Sequence, residues 1–363
     1  MASLFESCIL PFIILMVFEL QIPVISAEPQ VPCYFVFGDS LVDNGNNNNL
    51  VTQAKVNYPP YGIDFPGQNA TGRFTNGENS ADIIGRLLGF ANYTPPYATA
   101  RGPDILQGVN YGSGGSGIRD ETGRNLGDRV TFNEQLLRHG ITKLRISVFQ
   151  RNISFTKEYL RKCIYTVGMG NNDYLNNYLM PDKYSTSRIY TPERYADVLI
   201  QQYSKQLKAL YNYEARKVAV FGLGLIGCAP AVVSKFGANA SGCVDRVNAA
   251  VALFNEKLKP LVDDFNSNLT GAKFIYINTT NINLGDPIAA GFSVFTPCCI
   301  ASVDFGKGQC EPNLPPCSDR DIYIFWDEFH PTQRSNNITA TRSYMAASPF
   351  DSYPMDIRSL AQQ

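Results

Sequence analysis

The chain of 363 residues carries 31 Lys and Arg against 32 Asp and Glu, which gives a formal net charge of −1 at pH 7. This balance excludes the electrostatic basis of nucleic-acid binding, which needs an excess of positive charge. The length allows one large domain or two small ones with a sizeable core, and because no charge run or repeat divides the sequence, we expect a single domain.

The N-terminal residues predict a secretory signal peptide that occupies residues 1–27. The apolar stretch from Ile9 to Phe18 is too short to span a bilayer but suits the core of a signal peptide, and Ser26 and Ala27 offer a cleavage point. The alternative is a short membrane anchor, because the first eight residues contain no Lys or Arg. Cleavage leaves residues 28–363 as the single predicted domain, without a stable membrane span.

Glycosylation sequons support the prediction of secretion. Asn-X-Ser/Thr sequons begin at Asn69, Asn92, Asn152, Asn239, Asn268, Asn278 and Asn337. The sequence leaves open which of them carry a glycan. We therefore expect an extracellular glycoprotein, with the cell wall or the vacuole as alternative locations.

The cysteines also suit an oxidising compartment. Removal of the signal takes Cys8 and leaves eight of the nine cysteines, an even number. Two groups bracket Gly- and Pro-rich loops and are expected to pair within their group: Cys228 with Cys243, and Cys298, Cys299, Cys310 and Cys317 among themselves. Cys33 and Cys163 each begin an apolar strand, and they either bridge neighbouring strands or remain core thiols. A zinc site is disfavoured, because no Cys-x-x-Cys occurs.

Strands and helices alternate along the rest of the chain. Apolar runs predict strands at Tyr34–Phe37, Cys163–Val167, Lys217–Phe221, Lys273–Ile277 and Asp321–Trp326. Helical spacing predicts helices at Asn79–Leu88, Val130–Phe149, Glu193–Tyr213 and Asp245–Leu258, the last extended past Pro260 toward Leu269, and a C-terminal helix to about Met345. This alternation implies a parallel sheet with helices on both faces. We therefore predict an α/β protein, a three-layer α/β/α sandwich whose central sheet is mainly parallel and flavodoxin-like in order.

A serine follows the first predicted strand directly. The strand leads into Gly-Asp-Ser-Leu at residues 38–41, and a turn-rich run of Asn and Gly at residues 44–49 comes next. In an open α/β sheet the active site lies beyond the carboxyl ends of the strands. Ser40 is therefore in the position expected of a nucleophile.

Only two histidines are available as a base for such a serine. His139 follows Arg138 and precedes Gly140, and we expect it to be a solvated residue at a helix end. His330 lies three residues after Asp327, where the last predicted strand gives way to a helix. A serine hydrolase needs an imidazole to take the serine proton and a carboxylate to orient that imidazole. His330 and Asp327 fit these roles, although a carboxylate near a helix start is also an ordinary capping arrangement.

Two loops offer hydrogen-bond donors of the kind that acyl transfer needs for its oxyanion. The glycine-rich run at residues 112–117 offers the backbone N–H of Gly115, and a later Asn-rich loop offers the side-chain amide of Asn172. The backbone N–H of Ser40 is a third donor. Taken alone, each loop could equally be an ordinary turn.

Together these segments resemble the four sequence blocks of the SGNH hydrolases, in the form found in plant GDSL esterases/lipases. The matching runs are Gly-Asp-Ser-Leu at 38–41, Ser-Gly-Gly-Ser-Gly at 113–117, Gly-x-Asn-Asp at 170–173 and Asp-x-x-His at 327–330. The resemblance implies these roles: Ser40 as nucleophile and first oxyanion donor, Gly115 and Asn172 as the other donors, His330 as base and Asp327 as the residue that orients it. Gly114, beside Gly115, is an alternative donor.

The resemblance also implies a function. A member of this family hydrolyses carboxylic esters, of lipids or of other acyl compounds, through an acyl-serine and without a metal or organic cofactor. The expected partner is a small-molecule or lipid ester, and no nucleic acid. Deacetylation of polysaccharides and acyl transfer at the same site are alternatives within the enzyme class. The alternative from another class is an inactive secreted binding protein on the same scaffold.

A dinucleotide-binding fingerprint is a competing interpretation. The pattern Gly-x-Gly-x-x-Gly occurs at residues 112–117 and again at residues 222–227, directly after a predicted strand. The second run is followed by Pro230 where a helix should already have begun, so close packing of the backbone is the preferred interpretation. Gly-x-Ser-x-Gly does not occur in the sequence, which argues against an α/β-hydrolase nucleophile elbow.

Overall fold

The computed structural model describes residues 28–240, 242–283, 291–292, 296–302 and 307–363. The signal peptide predicted at residues 1–27 lies outside the described residues. Within the described ranges, no helix is both long enough and apolar enough to cross a membrane.

A five-stranded sheet lies at the centre of the fold. Its strands are β1 (Tyr34–Gly38), β2 (Ile164–Gly168), β3 (Lys217–Phe221), β4 (Lys273–Ile277) and β5 (Ser352–Tyr353), in that spatial order. β1 to β4 pair in parallel, and the short β5 pairs antiparallel with β4. The first four predicted strands are thus confirmed to within one residue at each end. Their mainly apolar composition is typical of a sheet that is covered on both faces.

An extended segment at residues 109–113 continues the sheet beyond β1. Val36 N–H donates to the Val109 carbonyl (3.1 Å) and Tyr111 N–H donates to the Val36 carbonyl (2.8 Å), with a parallel bridge between Val36 and Asn110. This segment lies between β1 and β2 in the sequence. When it is counted as the second strand, the parallel strands have the order 2-1-3-4-5, which is the predicted flavodoxin-like order, and the antiparallel strand Ser352–Tyr353 follows as the sixth.

Helices cover both faces of the sheet. In chain order they are α1 (Ser80–Leu87), α2 (Phe132–Gln150), α3 (Ile153–Lys162), α4 (Asn171–Asp173), α5 (Thr186–Ile189), α6 (Pro192–Asn212), α7 (Pro230–Phe236), α8 (Asp245–Asn255), α9 (Leu258–Asn268), α10 (Thr279–Asn283), α11 (Gln333–Tyr344) and α12 (Ile357–Ala361). A π-helical turn, Tyr174–Tyr178, follows α4, and short 3-10 turns lie at Gly102–Gln107, Arg124–Leu126, Ile226–Cys228 and Arg320–Ile322. Helices α2, α3, α6, α8 and α9 pack on one face, and α1, α10, α11 and α12 pack on the other. The three-layer α/β/α sandwich is as predicted.

The side chains of β1 anchor this strand in both layers. Phe35 and Phe37 join the apolar core under α2 and α6, whereas Tyr34 and Val36 join the core under α1 and α11. Complete burial of a large apolar side chain contributes roughly 1.5–3 kcal/mol. The end of β1 therefore has a fixed position, and so has the turn that follows it.

The predicted last strand, Asp321–Trp326, is not a strand. Its first residues belong to the 3-10 turn Arg320–Ile322, and the chain then folds back on itself, with Trp326 N–H donating to the His330 carbonyl (2.7 Å). The free edge of β4 is occupied by β5 instead. Trp326 is fully buried beside this turn, whereas the other apolar residues of the stretch are half-buried, so they need no partner strand.

The expectation that His139 is solvated at a helix end is wrong. Helix α2 continues to Gln150, and the His139 side chain is fully buried. Aromatic rings surround its imidazole at centroid distances of 4.8–6.0 Å, namely those of Phe35, Phe37, Tyr111, Tyr165 and Tyr213. The Tyr111 hydroxyl lies 3.2 Å from Nδ1, and Nε2 has no hydrogen-bond partner among the described residues. Burial, assisted by the charge of Lys143, lowers the pKa of His139 to about 3, so it is a neutral core residue.

Four disulfides join the cysteines of the described structure. They are Cys33–Cys163, Cys228–Cys243, Cys298–Cys317 and Cys299–Cys310. The Cys33–Cys163 disulfide links the segments that lead into β1 and β2, so of the two alternatives for these cysteines the bridge between neighbouring strands is the one observed. The last two decide the pairing that the sequence left open, and they cross-link the segment that precedes Asp327.

Candidate active site

Ser40 lies in a tight turn just beyond β1. Gln135 of α2 clamps the end of the strand, since its Nε2 donates to the Gly38 carbonyl (2.8 Å) and its Oε1 accepts the Gly38 N–H (3.1 Å). Gly38 has no room for a side chain, because a Cβ there would lie 2.5 Å from Val42 Cγ2 and 2.9 Å from the Gly168 carbonyl. The backbone path at the end of β1 is therefore fixed, and the turn presents the Ser40 side chain at the carboxyl edge of the sheet.

Ser40, His330 and Asp327 form a continuous hydrogen-bonded chain. Ser40 Oγ lies 2.8 Å from His330 Nε2, and His330 Nδ1 lies 2.8 Å from each carboxylate oxygen of Asp327. Because Nδ1–H donates to the carboxylate, Nε2 carries the lone pair and accepts the hydroxyl proton of Ser40. Asp327 and His330 are both buried, and the exclusion of water strengthens these hydrogen bonds.

The Asp-x-x-His spacing brings the imidazole of His330 and the carboxylate of Asp327 together within one turn. Asp327 Oδ1 accepts the backbone N–H groups of Phe329 (2.9 Å) and His330 (2.8 Å), and Trp326 N–H closes the turn on the His330 carbonyl. The following helix, α11, is capped by the side chain of Thr332. Asp327 is therefore not the helix cap that the spacing also allowed, and its carboxylate binds the imidazole and the backbone of the turn.

Asn172 lines the same cleft from the short helix α4. Its Nδ2 donates to the Ser116 carbonyl (2.9 Å), and its Oδ1 accepts from Asn176 Nδ2 (2.7 Å). The bond from Asn176 fixes which end of the amide is the donor. An amide nitrogen carries two N–H groups, of which Ser116 takes one. The other N–H is the predicted oxyanion donor.

Gly115 lines the cleft in a left-handed backbone conformation, with a φ of +82° that favours glycine. The N–H of the neighbouring Gly114 donates to Asp43 Oδ2 (3.0 Å). Gly114 was the alternative oxyanion donor, but this bond already uses its N–H. Gly115 is therefore the better placed of the two glycines to bind an oxyanion.

Side chains that follow Ser40 hold the glycine-rich loop, and the sequence interpretation missed them. Besides its bond to Gly114, the buried Asp43 accepts the N–H of Asn46 (2.7 Å), and burial raises the pKa of Asp43 to about 6. Asn46 Nδ2 donates to the Gly112 carbonyl (2.8 Å), and Asn47 Nδ2 donates to the Gly114 carbonyl (3.0 Å). The run of Asn and Asp residues was the available signal, because their side chains readily bind backbone groups.

Asp173 joins the glycine-rich loop to the loop of Asn172. Its Oδ2 accepts the N–H of Ile118 (2.7 Å), and its Oδ1 accepts the N–H of Arg119 (3.0 Å) and the hydroxyl of Thr122 (2.8 Å). The carboxyl is fully buried, and burial raises its pKa to about 7. These bonds fix the two predicted oxyanion loops relative to each other.

The predicted site residues meet at one cleft of about 860 Å³ at the carboxyl edge of the sheet. Ser40, Gly115, Asn172 and His330 all line it, and Asp327 is buried behind His330. The wall is mainly apolar and includes Phe74, Leu126, Leu175, Leu223, Phe325 and Phe329. Polar groups gathered at one point of an apolar cleft are typical of a small-molecule binding site.

Comparisons with known proteins identify the family. Residues 34–342 match the family model described as GDSL-like lipase/acylhydrolase. GDSL esterase/lipase At1g29670 of Arabidopsis thaliana is 50% identical over 354 residues, which cover 96% of this chain and 97% of the relative. GDSL esterase/lipase 7 of the same organism is 43% identical over 343 residues, which cover 92% of this chain and 93% of the relative. The chain therefore belongs to the GDSL lipase/acylhydrolase family and is a carboxylic ester hydrolase.

Proposed function

We propose that this protein hydrolyses esters of apolar acyl chains through an acyl-enzyme formed on Ser40. The observation that carries the proposal is the 2.8 Å contact of Ser40 Oγ with His330 Nε2, continued by the 2.8 Å contacts of Nδ1 with Asp327. A neutral imidazole at this distance can take the serine proton while Oγ attacks the ester. The buried carboxylate stabilises the imidazolium that results.

The reaction has two half-reactions. In the first, His330 Nε2 takes the proton of Ser40, and Oγ forms a bond to the carbonyl carbon of the ester. The backbone N–H groups of Ser40 and Gly115 and the amide of Asn172 bind the oxyanion of this tetrahedral intermediate. His330 then gives its proton to the leaving alcohol, whose bond to the carbonyl carbon breaks. In the second half-reaction, water gives a proton to His330 and attacks the acyl carbon, and Ser40 leaves with its proton restored.

The size and apolar wall of the cleft support an acyl chain longer than acetyl. A cleft of about 860 Å³ is far larger than one methyl group, and each additional buried CH₂ contributes about 0.8 kcal/mol. A screen with p-nitrophenyl esters of graded length, acetylated xylan and polyester oligomers tests this. We expect kcat/KM to rise from acetate toward longer chains. A maximum with acetate or acetylated xylan would favour a polysaccharide deacetylase, and ester formation in the presence of a second alcohol would favour an acyltransferase.

Secretion is part of the proposal. Disulfides persist in oxidising compartments, and this structure has four of them. All sequon asparagines except the half-buried Asn278 are exposed, so glycans can be attached there without unfolding. Expression of the full chain in plant cells should yield a protein in the culture medium that moves faster on a gel after glycosidase treatment. Retention inside the cells without glycans would contradict this location.

The mechanism is tested by replacing Ser40 with alanine. The exposed Ser318 provides a matched control, because it is not among the described residues that line the cleft and Ser318→Ala removes only its hydroxyl. We expect Ser40→Ala to abolish ester turnover and labelling by a fluorophosphonate, whereas Ser318→Ala retains both. Undiminished turnover by Ser40→Ala would refute the proposed nucleophile. A wild-type protein that binds esters without turning them over would instead be the inactive binding protein.

The pH profile provides a second test. A histidine base loses its function when it takes up a proton, so activity should fall toward acidic pH. A flat profile through this region would argue against His330 as the base.

A further inference from the structure

Tyr61 approaches Asp327 from behind the cleft. It lies in the loop between β1 and α1, and its side chain is 1% exposed. The ring packs edge-on against Trp326 and Phe74, with centroid distances of 6.2 Å and 6.4 Å, and the Phe74 ring lies 4.8 Å from the imidazole of His330. Tyr61 is not among the described residues that line the cleft. Tyr61 therefore contacts Asp327 but does not face the cleft.

The Tyr61 hydroxyl makes two hydrogen bonds in series. It donates to Asp327 Oδ2 (2.6 Å) and accepts the backbone N–H of Cys310 (3.1 Å). A backbone N–H can only donate, so the proton of the hydroxyl is directed at the carboxylate. Cys310 is bonded to Cys299, whose N–H donates to the carbonyl of Trp326 (3.0 Å), the residue before Asp327. The disulfide thus holds both the tyrosine and the turn that carries the carboxylate.

Tyr61 completes the hydrogen bonding of Asp327. Oδ1 receives the backbone N–H groups of Phe329 and His330. Within the described part of the chain, Oδ2 receives Tyr61 as its only donor besides the imidazole. A buried carboxylate depends on such donors, because it has no water to stabilise its charge. Burial and the charge of Asp327 raise the pKa of Tyr61 well above its ordinary value, so the hydroxyl stays protonated.

We propose that Tyr61 is a positioning residue, whose hydroxyl fixes the plane of the Asp327 carboxylate and sets how strongly that carboxylate holds the protonated imidazole of His330. The inference rests on the triad of the proposed function. A carboxylate that also accepts from Tyr61 shares its charge between two partners and attracts the imidazolium less strongly. Loss of the hydroxyl therefore has two effects: His330 takes up its proton at a higher pH, and the carboxylate loses its fixed orientation.

The test compares Tyr61→Phe with Tyr58→Phe. The Tyr58 hydroxyl donates to the Cys310 carbonyl (3.1 Å), so the control removes a neighbouring hydroxyl that binds the same residue. Active sites are first titrated with a fluorophosphonate, so that kcat refers to competent enzyme only. We expect Tyr61→Phe to lower kcat by roughly 10- to 100-fold with little change in KM, and to move the acidic limb of kcat/KM upward by about one pH unit. Tyr58→Phe should keep the wild-type kcat and the wild-type limb.

A second substitution decides the matter if Tyr61→Phe does not fold. 3-Fluorotyrosine at position 61 keeps the ring and the hydroxyl, but fluorine makes the phenol a stronger donor. The acidic limb should then move to lower pH, opposite to its movement in Tyr61→Phe. A general loss of structure would lower the titrated fraction of enzyme without moving the limb.

An acidic limb that stays at the wild-type pH in 3-fluorotyrosine enzyme, or in folded Tyr61→Phe, would overturn the inference. Equal movement of the limb in Tyr61→Phe and Tyr58→Phe would also overturn it, because it would assign the effect to the Cys310 loop in general. Failure of the proposed function has a different signature, which is turnover by Ser40→Ala. An inert Ser40→Ala together with an unchanged limb refutes only the role of Tyr61.

Discussion

Replacement of His139 by phenylalanine should make the free energy of unfolding less sensitive to acid. Burial, assisted by the charge of Lys143, lowers the pKa of His139 from 6.5 to about 3 in the folded protein. Between these values the unfolded chain binds the proton and the folded protein does not. Stability therefore falls as the pH falls through this window. Phenylalanine keeps a ring among the aromatic neighbours of α2 but has no group that titrates.

The magnitude follows from the two pKa values. The pKa of His139 falls from 6.5 to about 3 on folding. At about 1.4 kcal/mol per pH unit, the free energy of unfolding is lower by about 5 kcal/mol once the pH is below both pKa values. Between about pH 7 and pH 5, the free energy of unfolding falls by about 2 kcal/mol of this total. Asp43 and Asp173 act in the opposite sense, because burial raises their pKa values, and their stabilising contribution is lost as the pH rises through about 6 and about 7. Both carboxyls are present in wild type and variant, so their contributions cancel when the two proteins' changes in unfolding free energy are compared.

The assay is urea unfolding at these two pH values, followed by the fluorescence of Trp326, the single tryptophan. We expect the wild type to lose about 2 kcal/mol more than His139→Phe between about pH 7 and pH 5. The hydrogen bond between the Tyr111 hydroxyl and Nδ1 is absent from the variant at both pH values, so its loss cancels in the comparison. Equal losses in the two proteins would refute the burial of a neutral His139.

Three further substitutions test the predicted oxyanion loops. Asn172→Ala should lower kcat by roughly 100- to 1000-fold in steady-state kinetics, as for one oxyanion donor, and a loss confined to KM would indicate a substrate contact instead. Asn176→Ala should lower kcat by roughly tenfold, since it removes the bond that orients the Asn172 amide, and a loss larger than that of Asn172→Ala would contradict this indirect role. Asp43→Asn leaves the N–H of Gly114 facing an amide, and urea unfolding should show a destabilisation of about 1–3 kcal/mol; an unchanged midpoint would mean that the loop does not need this bond.

The sheet could be predicted because its strands are short apolar runs that end abruptly. β3 and β4 have the predicted ends, and α6 begins one residue before its predicted start. The pairing of Asp327 with His330 was also accessible, since a spacing of three residues within one turn needs no knowledge of the rest of the fold. Ser40 could be joined to them only through the rule that active sites lie at the carboxyl edge of the sheet, and through the family resemblance.

His139 shows where interpretation from sequence neighbours fails. Arg138 and Gly140 suggested an exposed helix end, but the buried positions of α2 recur at helical spacing and include His139: Phe132, Gln135, Leu136, His139, Thr142 and Ile146. This periodicity was the stronger signal. For Asp321–Trp326 no such signal exists, because apolar residues that pack around a turn have the same pattern as those of a strand.

Tyr61 could not be found from the sequence at all. Its partner Asp327 is 266 residues away, and a tyrosine in a loop rich in Pro and Gly has no local pattern that indicates a polar contact. The same holds for the Cys310 N–H that it accepts, which depends on the pairing of Cys299 with Cys310. Contacts between loops that are distant in the sequence can be identified only from the three-dimensional structure.

The central contact of the site joins residues 290 positions apart in the sequence. The four parallel strands are complete at Ile277, before His330 has been synthesised. A polypeptide that stops there would contain Ser40 and both predicted oxyanion loops but neither Asp327 nor His330. Under the proposed mechanism catalytic turnover is therefore a stringent reporter of complete synthesis, because a chain that loses its C-terminal segment loses His330 together with α11 and α12, which cover one face of the sheet.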